Sequence, residues 1–461
     1  MQQSDERGAA ASRGPFVMAS AEVVGIAERL AASGEPWFWF DGAAAPAGES
    51  RTSYLGTASA IRIAERGRER EFLDGLRAEV GAGAGRGFRS GWVVALSYEF
   101  GVSLMGLDPS PDDGAPAFAL RVDAVLAVDH DSGVAEVHGA DAAAWAARFP
   151  APAAAPQPAP APIPNPGEGQ RPVPTSWRRD DVRYAEEIEA CRAAIGDGDA
   201  YVLCLTDTAA ARGEFDPLRT YLRLRRSGPA ARGAVVVAHD RSLVSASPER
   251  FLGLHDGALE THPIKGTRPR GANAAEDAVL AADLAADPKE RAENLMIVDL
   301  MRNDFSRVCA AGTVGVADFL RVETHPHVHQ LVSTVSGRLL PGLGIADAIA
   351  ACFPGGSMTG APKRSAVQIL QQLEERPRGL YSGCFGWIDD RGDAELAMTI
   401  RGIELREPLR EPLRDGVSSA RRFAAALVGA GGGITADSDP PREVAEKHLK
   451  AAAIISALGP R

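Results

Sequence analysis

Lys265 is the first residue of this sequence whose setting suggests chemistry. Two strand-like runs precede it, Arg250–His255 and Ala258–His262, and the Asp256-Gly257 pair between them is typical of a type I′ hairpin turn. We therefore expect a rigid hairpin to deliver one lysine into a turn bracketed by proline and glycine. Most Lys-Gly pairs are solvated loop residues, so this interpretation needs support from the rest of the chain.

Two arginines, Arg268 and Arg270, follow Lys265 closely in the sequence. Nearby cations and burial both lower the pKa of a lysine, and the neutral amine that results is a nucleophile. The segment therefore predicts a lysine whose pKa is lowered and whose amine can form a covalent bond with a substrate.

Two predicted helices each present acidic side chains three residues apart on one face. These are Glu290 and Glu293 in the first helix, and Glu443 and Glu446 in the second. Asp287-Pro288 and Asp439-Pro440 are the corresponding helix starts. Like charges at this spacing weaken a helix slightly, whereas Mg²⁺ accepts one or two carboxylates directly and keeps several waters. The pairs by themselves are consistent with two solvated helix faces, with Glu290 closing a capping box, and also with a divalent metal site.

Two glycine-rich segments, 353–363 and 429–433, are the remaining candidates for ligand contact. Each is either a simple tight turn or a loop that holds a ligand; the first leads into a helix over 364–373 and the second follows a strand over 423–428. Backbone amides in such places can hold a carboxylate or a phosphate. Neither segment is a nucleotide-binding motif, because the Gly-Lys-Ser/Thr ending of a P-loop and a dinucleotide fingerprint are both missing.

Composition narrows the class of protein. The 461 residues are 45% hydrophobic and carry a net charge of −11 without a long basic run, which argues against a nucleic-acid partner. No apolar stretch approaches the roughly 18 residues of a membrane span, and the start of the chain lacks the apolar segment of a secretory signal. The five scattered cysteines read as core thiols in a reducing compartment. We expect a soluble cytoplasmic protein.

The division of the chain follows changes in composition. We expect a disordered N-terminus over residues 1–15, a strand-rich N-terminal region over 16–148, a linker of mostly alanine and proline over 149–174, and a catalytic domain over 175–461. Strand signals in the N-terminal region are Trp37–Phe40, Trp92–Leu96 and Phe118–Val128. In the larger region Arg183–Ile195 has helical spacing and Tyr201–Leu205 reads as a strand. The tandem repeat of Arg-Glu-Pro-Leu over 406–413 predicts an inserted surface loop.

Eight segments in order resemble the chorismate-utilising enzymes, the family of anthranilate synthase and aminodeoxychorismate synthase large subunits. They are Ser247–Arg250, Pro263–Gly271, Lys289–Val308, Phe353–Lys363, Tyr381–Gly383, Ala397–Arg401, Gly429–Ile434 and Asp437–Lys450. Weaker similarity reaches Arg51–Gly56 and Ser97–Gly101. The resemblance implies an α+β fold of two large antiparallel β-sheets packed face to face and wrapped by helices. It places the active site between helices and a sheet edge.

The resemblance also implies roles for single residues. It implies Mg²⁺ held directly by Glu293 and Glu446, with Glu290 and Glu443 acting through water, and Glu249 as the general acid that protonates the leaving hydroxyl of chorismate. The substrate-binding positions that match the family are Gly266, Thr267, Tyr381, Arg401, Gly431, Gly433 and Lys450.

The residue type at the position of Lys265 differs between members of the family. Anthranilate synthases carry alanine at the matching position, whereas aminodeoxychorismate synthases carry lysine, which is thought to add to ring carbon 2 before ammonia attacks carbon 4. Isochorismate and salicylate synthases use a lysine of an early strand to activate water, and Tyr201–Leu205 contains none. The resemblance therefore implies amination of chorismate to 4-amino-4-deoxychorismate, which would feed either para-aminobenzoate and folate synthesis or an antibiotic pathway. Ortho amination, as in anthranilate synthase component I, is the alternative, and a catalytically silent chorismate-binding subunit is a third.

The chain differs from many relatives at one position, and it lacks an amidotransferase arrangement. Many relatives have a histidine directly before Leu331-Val332-Ser333, whereas this chain has Gln330, with His329 one position earlier. Glutamine carries no proton at neutral pH, so we assign no acid–base role there and expect His329 to be structural. No Cys-His-Glu amidotransferase arrangement is apparent, so we expect ammonia to come from a separate glutamine amidotransferase subunit or from solution.

Overall fold

The structure is a computed structural model that describes residues 13–46, 49–81, 83, 85–150, 173–325, 328–409 and 420–459. The predicted disordered segment 1–15 and the predicted linker 149–174 fall mostly outside these residues, as does the second copy of the Arg-Glu-Pro-Leu repeat. Among the described residues, no helix is long and apolar enough to cross a membrane.

The described part of the chain forms eleven α-helices. They are α1 (Ser20–Ala32), α2 (Glu69–Arg77), α3 (Tyr98–Leu104), α4 (Ala142–Arg148), α5 (Asp181–Gly196), α6 (Pro217–Ser227), α7 (Ala274–Ala286), α8 (Pro288–Ser306), α9 (Ile345–Cys352), α10 (Lys363–Glu374) and α11 (Pro440–Ala457). A short 3₁₀ turn covers Gly356–Met358.

The first sheet contains twelve strands among the described residues. In chain order they are β1 (Arg13–Val17), β2 (Trp37–Asp41), β3 (Thr52–Thr57), β7 (Ala124–Asp129), β8 (Val134–Gly139), β9 (Thr175–Trp177), β10 (Val202–Phe215), β11 (Arg232–Val237), β12 (Arg241–Ser247), β18 (Gly360–Ala361), β21 (Gly402–Pro408) and β22 (Phe423–Ile434). Their order across the sheet is β1-β8-β7-β3-β2-β11-β12-β21-β22-β10-β18, with β9 added beside β10.

The second sheet contains ten strands among the described residues. They are β4 (Ala60–Ile63), β5 (Gly91–Leu96), β6 (Ala117–Val122), β13 (Arg250–His255), β14 (Ala258–His262), β15 (Ile264–Pro269), β16 (Gly315–Thr324), β17 (Val328–Arg338), β19 (Cys384–Asp389) and β20 (Ala394–Met398). Their order is β15-β17-β14-β13-β20-β19-β5-β6-β4, with β16 added beside β17. Both sheets combine strands from the N-terminal and the larger predicted region.

The two sheets pack face to face, and each is covered by helices on its outer side, which confirms the predicted fold class. The alternation of side chains along a strand shows the layering. On β2, Phe38 and Phe40 point into the core between the sheets, whereas Trp37 and Trp39 join the core under α1, α4, α6 and α11. The rings of Phe40 and Phe385, one from each sheet, stack with their centroids 6.4 Å apart. Full burial on both faces explains why these strands are continuous apolar runs.

Several predicted elements are confirmed with shifted bounds. Trp37–Phe40 and Trp92–Leu96 lie in β2 and β5, and the predicted helices over 183–195 and 364–373 are α5 and α10. The run Phe118–Val128 is two strands, because the chain leaves the second sheet at Asp123 and enters the first as β7. The sequence pattern hides this break since both strands are buried. The first Arg-Glu-Pro copy is the end of β21 rather than part of a surface loop.

Candidate active site

Lys265 lies on an edge strand, which corrects the predicted turn. The hairpin itself is confirmed, since β13 pairs with β14 and Asp256 and Gly257 both have positive φ, 50° and 76°. The chain then continues as β15, which pairs with β17 and carries Lys265 opposite Leu331. An irregularity follows at Gly266, whose φ is 72°. A Cβ added there would lie 3.0 Å from the Glu290 side chain, so glycine lets that carboxylate approach the strand.

The charges around Lys265 are negative, and the predicted lowering of its pKa is wrong. The Arg268 guanidinium pairs with Asp283 and Asp287, and that of Arg270 pairs with Asp277. The Lys265 Nζ lies 3.7 Å from Glu293 Oε2. Burial acts to lower the pKa of Lys265, but the negative charge of Glu293, aided by Glu249 and Glu290, outweighs it and raises the pKa above its ordinary value.

The helices that carry the four glutamates begin as predicted. The Asp287 carboxylate accepts hydrogen bonds from the backbone N–H of Lys289 and Glu290 at the start of α8, and Asp439 accepts one from Arg442 at the start of α11. The N–H of Asp287 donates to the Leu284 carbonyl rather than to Glu290. Glu290 therefore does not close a capping box, and its side chain turns towards Gly266.

The glutamates of α8 and α11 converge on one place beside β22. The Nζ of Lys289 lies 3.9 Å from Glu293 Oε1 and 3.5 Å from Glu443 Oε1, and so stands between the two helices. Two adjacent glycines of β22 make room for them. A Cβ on Gly432 would lie 3.0 Å from Glu443 Oε2 and 3.9 Å from Glu446 Oε1, and one on Gly433 would lie 3.6 Å from Glu293 Oε2 and 3.8 Å from Lys265 Nζ.

This acidic cluster has the chemistry of a cation site. In the part of the chain that the structure describes, no three acidic, histidine or cysteine side chains already share a metal-binding geometry. The set nevertheless fits Mg²⁺ in the type of donor, since carboxylate oxygens reach the same place from two helices and a lysine ammonium already lies between them. Burial and the charge of Glu293 raise the pKa of Glu290, which is the expected effect of crowded like charges.

The glycine-rich run 429–433 is strand rather than the predicted turn. It continues β22 without a break, and Thr208 to Cys204 of β10 pair with Gly429 to Gly433 in antiparallel register. Glycine is needed here for close approach rather than for turning. A Cβ on Gly429 would lie 2.0 Å from the Tyr381 ring, and one on Gly431 would lie 2.1 Å from the Leu205 carbonyl oxygen. Since β21 pairs with β22 only as far as Val428, the other edge of this run faces α11.

Glu249 has the environment of a general acid. It follows β12, is only 7% exposed, and accepts a hydrogen bond of 2.6 Å at Oε1 from the Ser357 hydroxyl. Burial raises the pKa of Glu249 to about 7, while the Ser357 hydrogen bond and the charges of Lys265 and Arg232 act in the other direction. A carboxyl group that is half protonated near neutral pH can donate a proton to a leaving oxygen.

Several of the other predicted substrate-binding residues lie near the same place. The Lys450 Nζ bonds Glu446 Oε1 at 2.6 Å and donates to the Gly431 carbonyl at 2.9 Å. Arg401 adopts a left-handed backbone with φ 50°, which a non-glycine residue adopts only under constraint. Although Arg401 is exposed, partial desolvation lowers its pKa, and the charges of Tyr381 and Glu446 act against that change, so all three side chains lie within electrostatic reach. Thr267 is exposed on β15.

His329 is a structural residue, as expected. It is 1% exposed, and its ring nitrogens lie 2.9 Å from Thr324 Oγ1 and 2.9 Å from Asp277 Oδ1. Asp277 also binds Arg270, so this network fixes the end of β15 and the start of α7. Gln330 lies next to His329 on β17, opposite Thr267.

Sequence reasoning missed two residues of the site. Lys289 stands four positions before Glu293, a spacing that brings opposite charges together on a helix and could have identified it. Ser357 lies in the glycine-rich loop, but its contact with Glu249 joins residues 108 positions apart in sequence. No local pattern predicts such a contact.

The two-sheet fold and the converging acid, amine and carboxylates are typical of an enzyme that acts on a small molecule. The chain belongs to the chorismate-binding enzymes, because the family model described as chorismate binding enzyme matches residues 30–456.

The names of individual relatives give two different activities. The chain is 38% identical over 464 residues to an aminodeoxychorismate synthase of Streptomyces pristinaespiralis, covering 91% of this chain and 61% of that protein. It is 38% identical over 295 residues to anthranilate synthase component 1 of Mycolicibacterium smegmatis, covering 62% of this chain and 53% of that protein. Anthranilate synthase component I of Streptococcus pneumoniae has the same fold, with a TM-score of 0.72, 26% identity, and coverage of 88% and 92%. The chain thus spans between half and two thirds of the length of these two curated relatives.

Proposed function

We propose that this protein aminates chorismate with ammonia at ring carbon 4, giving 4-amino-4-deoxychorismate, with Lys265 as a covalent nucleophile. The observation that carries the proposal is the position of Lys265. Its Nζ lies 3.7 Å from Glu293 Oε2 in the acidic cluster, and a Cβ added to Gly433 would lie 3.8 Å from it. An amine at this place would contact a ligand bound by the acidic cluster and by the glycine-rich run 429–433 of β22. The similarity to an aminodeoxychorismate synthase over 91% of the chain supports the same activity.

The first displacement uses Lys265 and Glu249. The neutral amine of Lys265 forms a bond to ring carbon 2, the two ring double bonds each move by one position, and the bond between carbon 4 and its hydroxyl oxygen breaks. Glu249 gives its proton to that oxygen, which leaves as water. The Ser357 hydroxyl holds the Glu249 carboxyl group in place through their 2.6 Å hydrogen bond.

The second displacement reverses the first. Ammonia attacks carbon 4, the double bonds return, and the bond between carbon 2 and the Lys265 nitrogen breaks with its electron pair returning to the amine. The new ammonium group loses one proton to the Glu249 carboxylate, which restores the acid. While Lys265 occupies carbon 2, ammonia cannot attack there, so the amine is directed to the para position.

The four glutamates are the residues that would hold Mg²⁺, with Glu293 and Glu446 as direct ligands and Glu290 and Glu443 acting through water. A bound Mg²⁺ supplies positive charge that attracts the ring carboxylate and eases departure of the hydroxyl. Lys450, Arg401 and Tyr381 then grip the carboxylates of the substrate. Neutralising the cluster also removes the negative field that keeps Lys265 protonated, so that its amine can attack.

A separate glutamine amidotransferase subunit supplies ammonia in this proposal. Ammonium alone should support turnover by the purified chain, whereas glutamine should support it only after a glutaminase subunit is added. Glutamine-dependent turnover by the chain alone, free of contaminants, would contradict a separate subunit.

Ortho amination is the competing function, favoured by equal identity to an anthranilate synthase component. Incubating the protein with chorismate, Mg²⁺ and ammonium and identifying the product by chromatography and mass spectrometry separates the two. A para-aminated product supports the proposal, and anthranilate would replace it with the ortho function. Absence of any chorismate turnover rejects both.

A further inference from the structure

Arg378 is a fully enclosed cation that contacts several loops around the candidate site. Its side chain is 2% exposed, and its guanidinium group lies 4.1 Å from the centre of the Tyr98 ring. The hydrogen bonds it donates go to Met358 O (2.7 Å), Cys204 O (2.9 Å), Ser382 Oγ (3.3 Å) and both carboxylate oxygens of Glu374 (2.7 and 2.8 Å). Glu374 therefore balances the charge, and the remaining bonds join three separate segments.

The bond to the Met358 carbonyl connects Arg378 with Glu249, the proton donor of the proposed function. Met358 is the residue after Ser357, and the Ser357 hydroxyl donates to Glu249. The two residues belong to a 3₁₀ turn of only three residues, whose own support includes the bond from Met358 N–H to the Gly355 carbonyl. The Thr359 hydroxyl also donates to the Gly355 and Gly356 carbonyls, and the bond from Arg378 to the Met358 carbonyl adds an anchor directly beside Ser357.

The backbone of Arg378 is itself anchored from the N-terminal region. The Glu99 carboxylate, 4% exposed, accepts the N–H of Arg378 at 2.8 Å through Oε1 and the N–H of Gly379 at 3.1 Å through Oε2. The next N–H, that of Leu380, donates to Glu404 Oε2 at 2.8 Å. Three successive amides are thus held by two buried carboxylates directly before Tyr381. These bonds hold the backbone from Arg378 to Leu380 in place.

We propose that Arg378 is a positioning residue for the proton donor Glu249, acting through the Met358 carbonyl and the Ser357 hydroxyl, with Glu99 holding Arg378 in place. The inference deepens the proposed function and rests on it in one respect, that Glu249 protonates the leaving oxygen. Only the planar fork of a guanidinium reaches Glu374, Met358 and Cys204 together, so lysine cannot replace it. The N-terminal region thereby takes part in arranging the catalytic groups.

A merely structural arginine and a positioning arginine differ in their effect on the titration of Glu249. Burial raises the pKa of Glu249, and three groups lower it: the Ser357 hydroxyl, Lys265 of β15 and Arg232 of β11. Because the Ser357 hydrogen bond stabilises the carboxylate, its loss raises the pKa of Glu249. If Arg378 acts through Ser357, replacing either residue raises the pKa of Glu249. Replacing both then raises it no further than replacing Ser357 alone.

The experiment compares Ser357→Ala, Arg378→Lys and the double variant with the wild type. The alkaline limb of kcat/KM and a ¹³C NMR titration of the Glu249 carboxyl, assigned with Glu249→Gln, are both measured. We expect each single variant to move both curves to higher pH, with kcat at least ~10-fold lower and KM changed less than ~3-fold, and the double variant to match Ser357→Ala.

An Arg378→Lys protein that melts at lower temperature but keeps the wild-type curves overturns the inference, as do additive shifts in the double variant. If Arg378→Lys does not fold, Glu99→Gln carries the test, with the same shift expected and an unmoved titration as the contrary result. The NMR titration needs no substrate. A wild type that fails to turn over chorismate therefore rejects the proposed function, whereas an unmoved Glu249 titration rejects this inference.

Discussion

The hydroxyl of Ser357, in the 3₁₀ turn between α9 and β18, donates a 2.6 Å hydrogen bond to the carboxyl group of Glu249, which lies between β12 and β13. This contact places a carboxyl group with a pKa of about 7 beside the amine of Lys265, whose charge is among the influences on it. A buried acid of this kind costs stability in exchange for function. The predictions that follow test this acid, the amine and the cation cluster separately.

The burial of Glu249 should make the wild type less stable as pH rises. The folded-state pKa of about 7 lies above the ordinary 4.5, so the folded protein keeps a proton that the unfolded chain has released. Stability is therefore lost as pH rises from about 4.5 through 7, by on the order of 3 kcal/mol. Glutamine does not titrate. The melting temperature of Glu249→Gln should exceed that of the wild type by more at pH 8 than at pH 5.

Glu28→Gln is the matched control, because Glu28 is exposed on α1 and far from this site in sequence. It should follow the wild type at both pH values. A difference between Glu249→Gln and wild type that does not change with pH would mean that burial does not shift the pKa of Glu249.

Removal of the metal should abolish activity. We expect excess EDTA to stop turnover and Glu293→Gln or Glu446→Gln to reduce kcat by at least ~100-fold, since each removes a charge that holds the cation. The rate with chorismate and ammonium is measured across Mg²⁺ concentrations. Full activity in EDTA would dismiss the acidic cluster as a metal site.

Lys289 should compete with the metal. Its ammonium group lies between Glu293 and Glu443, so a second cation must displace it. Lys289→Met should bind Mg²⁺ several-fold more tightly in calorimetric titration. Arg302→Met, on the exposed side of the same helix, removes an equal charge and should leave the affinity unchanged. Equal or weaker binding by Lys289→Met would show that the lysine does not occupy the cation position.

Lys265→Ala should keep its fold and its Mg²⁺ and chorismate binding but lose most para amination, because nothing then protects carbon 2. Surviving activity should shift towards an ortho-aminated product, since the cluster and Glu249 remain. In the wild type, chorismate without ammonia should leave the peptide that contains Lys265 heavier by chorismate minus water. Para amination at the wild-type rate in Lys265→Ala would reduce this residue to an ordinary strand lysine.

Gly429→Ala should displace Tyr381. The added Cβ would lie 2.0 Å from the ring, so the ring or the strand must move, at a cost of about 1–3 kcal/mol. We expect KM for chorismate to rise at least ~10-fold. Gly196→Ala, where an added Cβ meets no atom within 4 Å, is the control and should be neutral. Unchanged KM in Gly429→Ala would remove Tyr381 from the substrate-binding set.

Local features of the sequence determined much of this protein. The type I′ hairpin at Asp256-Gly257 and the starts of α8 and α11 depend on residues within one turn of each other. The pairing of Glu290 with Glu293 on one face follows from helical periodicity alone. The family resemblance supplied the fold class and the set of candidate residues.

Tertiary structure decided the relations between segments. The run 429–433 looks like a turn by composition, but it is strand because it pairs with β10, and its residues are glycine because Tyr381, Leu205 and Glu443 approach too closely for a Cβ. Arg268 and Arg270 are close to Lys265 in sequence, yet they pair with acids of α7 and its end, and Glu293 from α8 sets the charge on the lysine instead. Electrostatic and steric effects depend on distance in space, which sequence separation does not give.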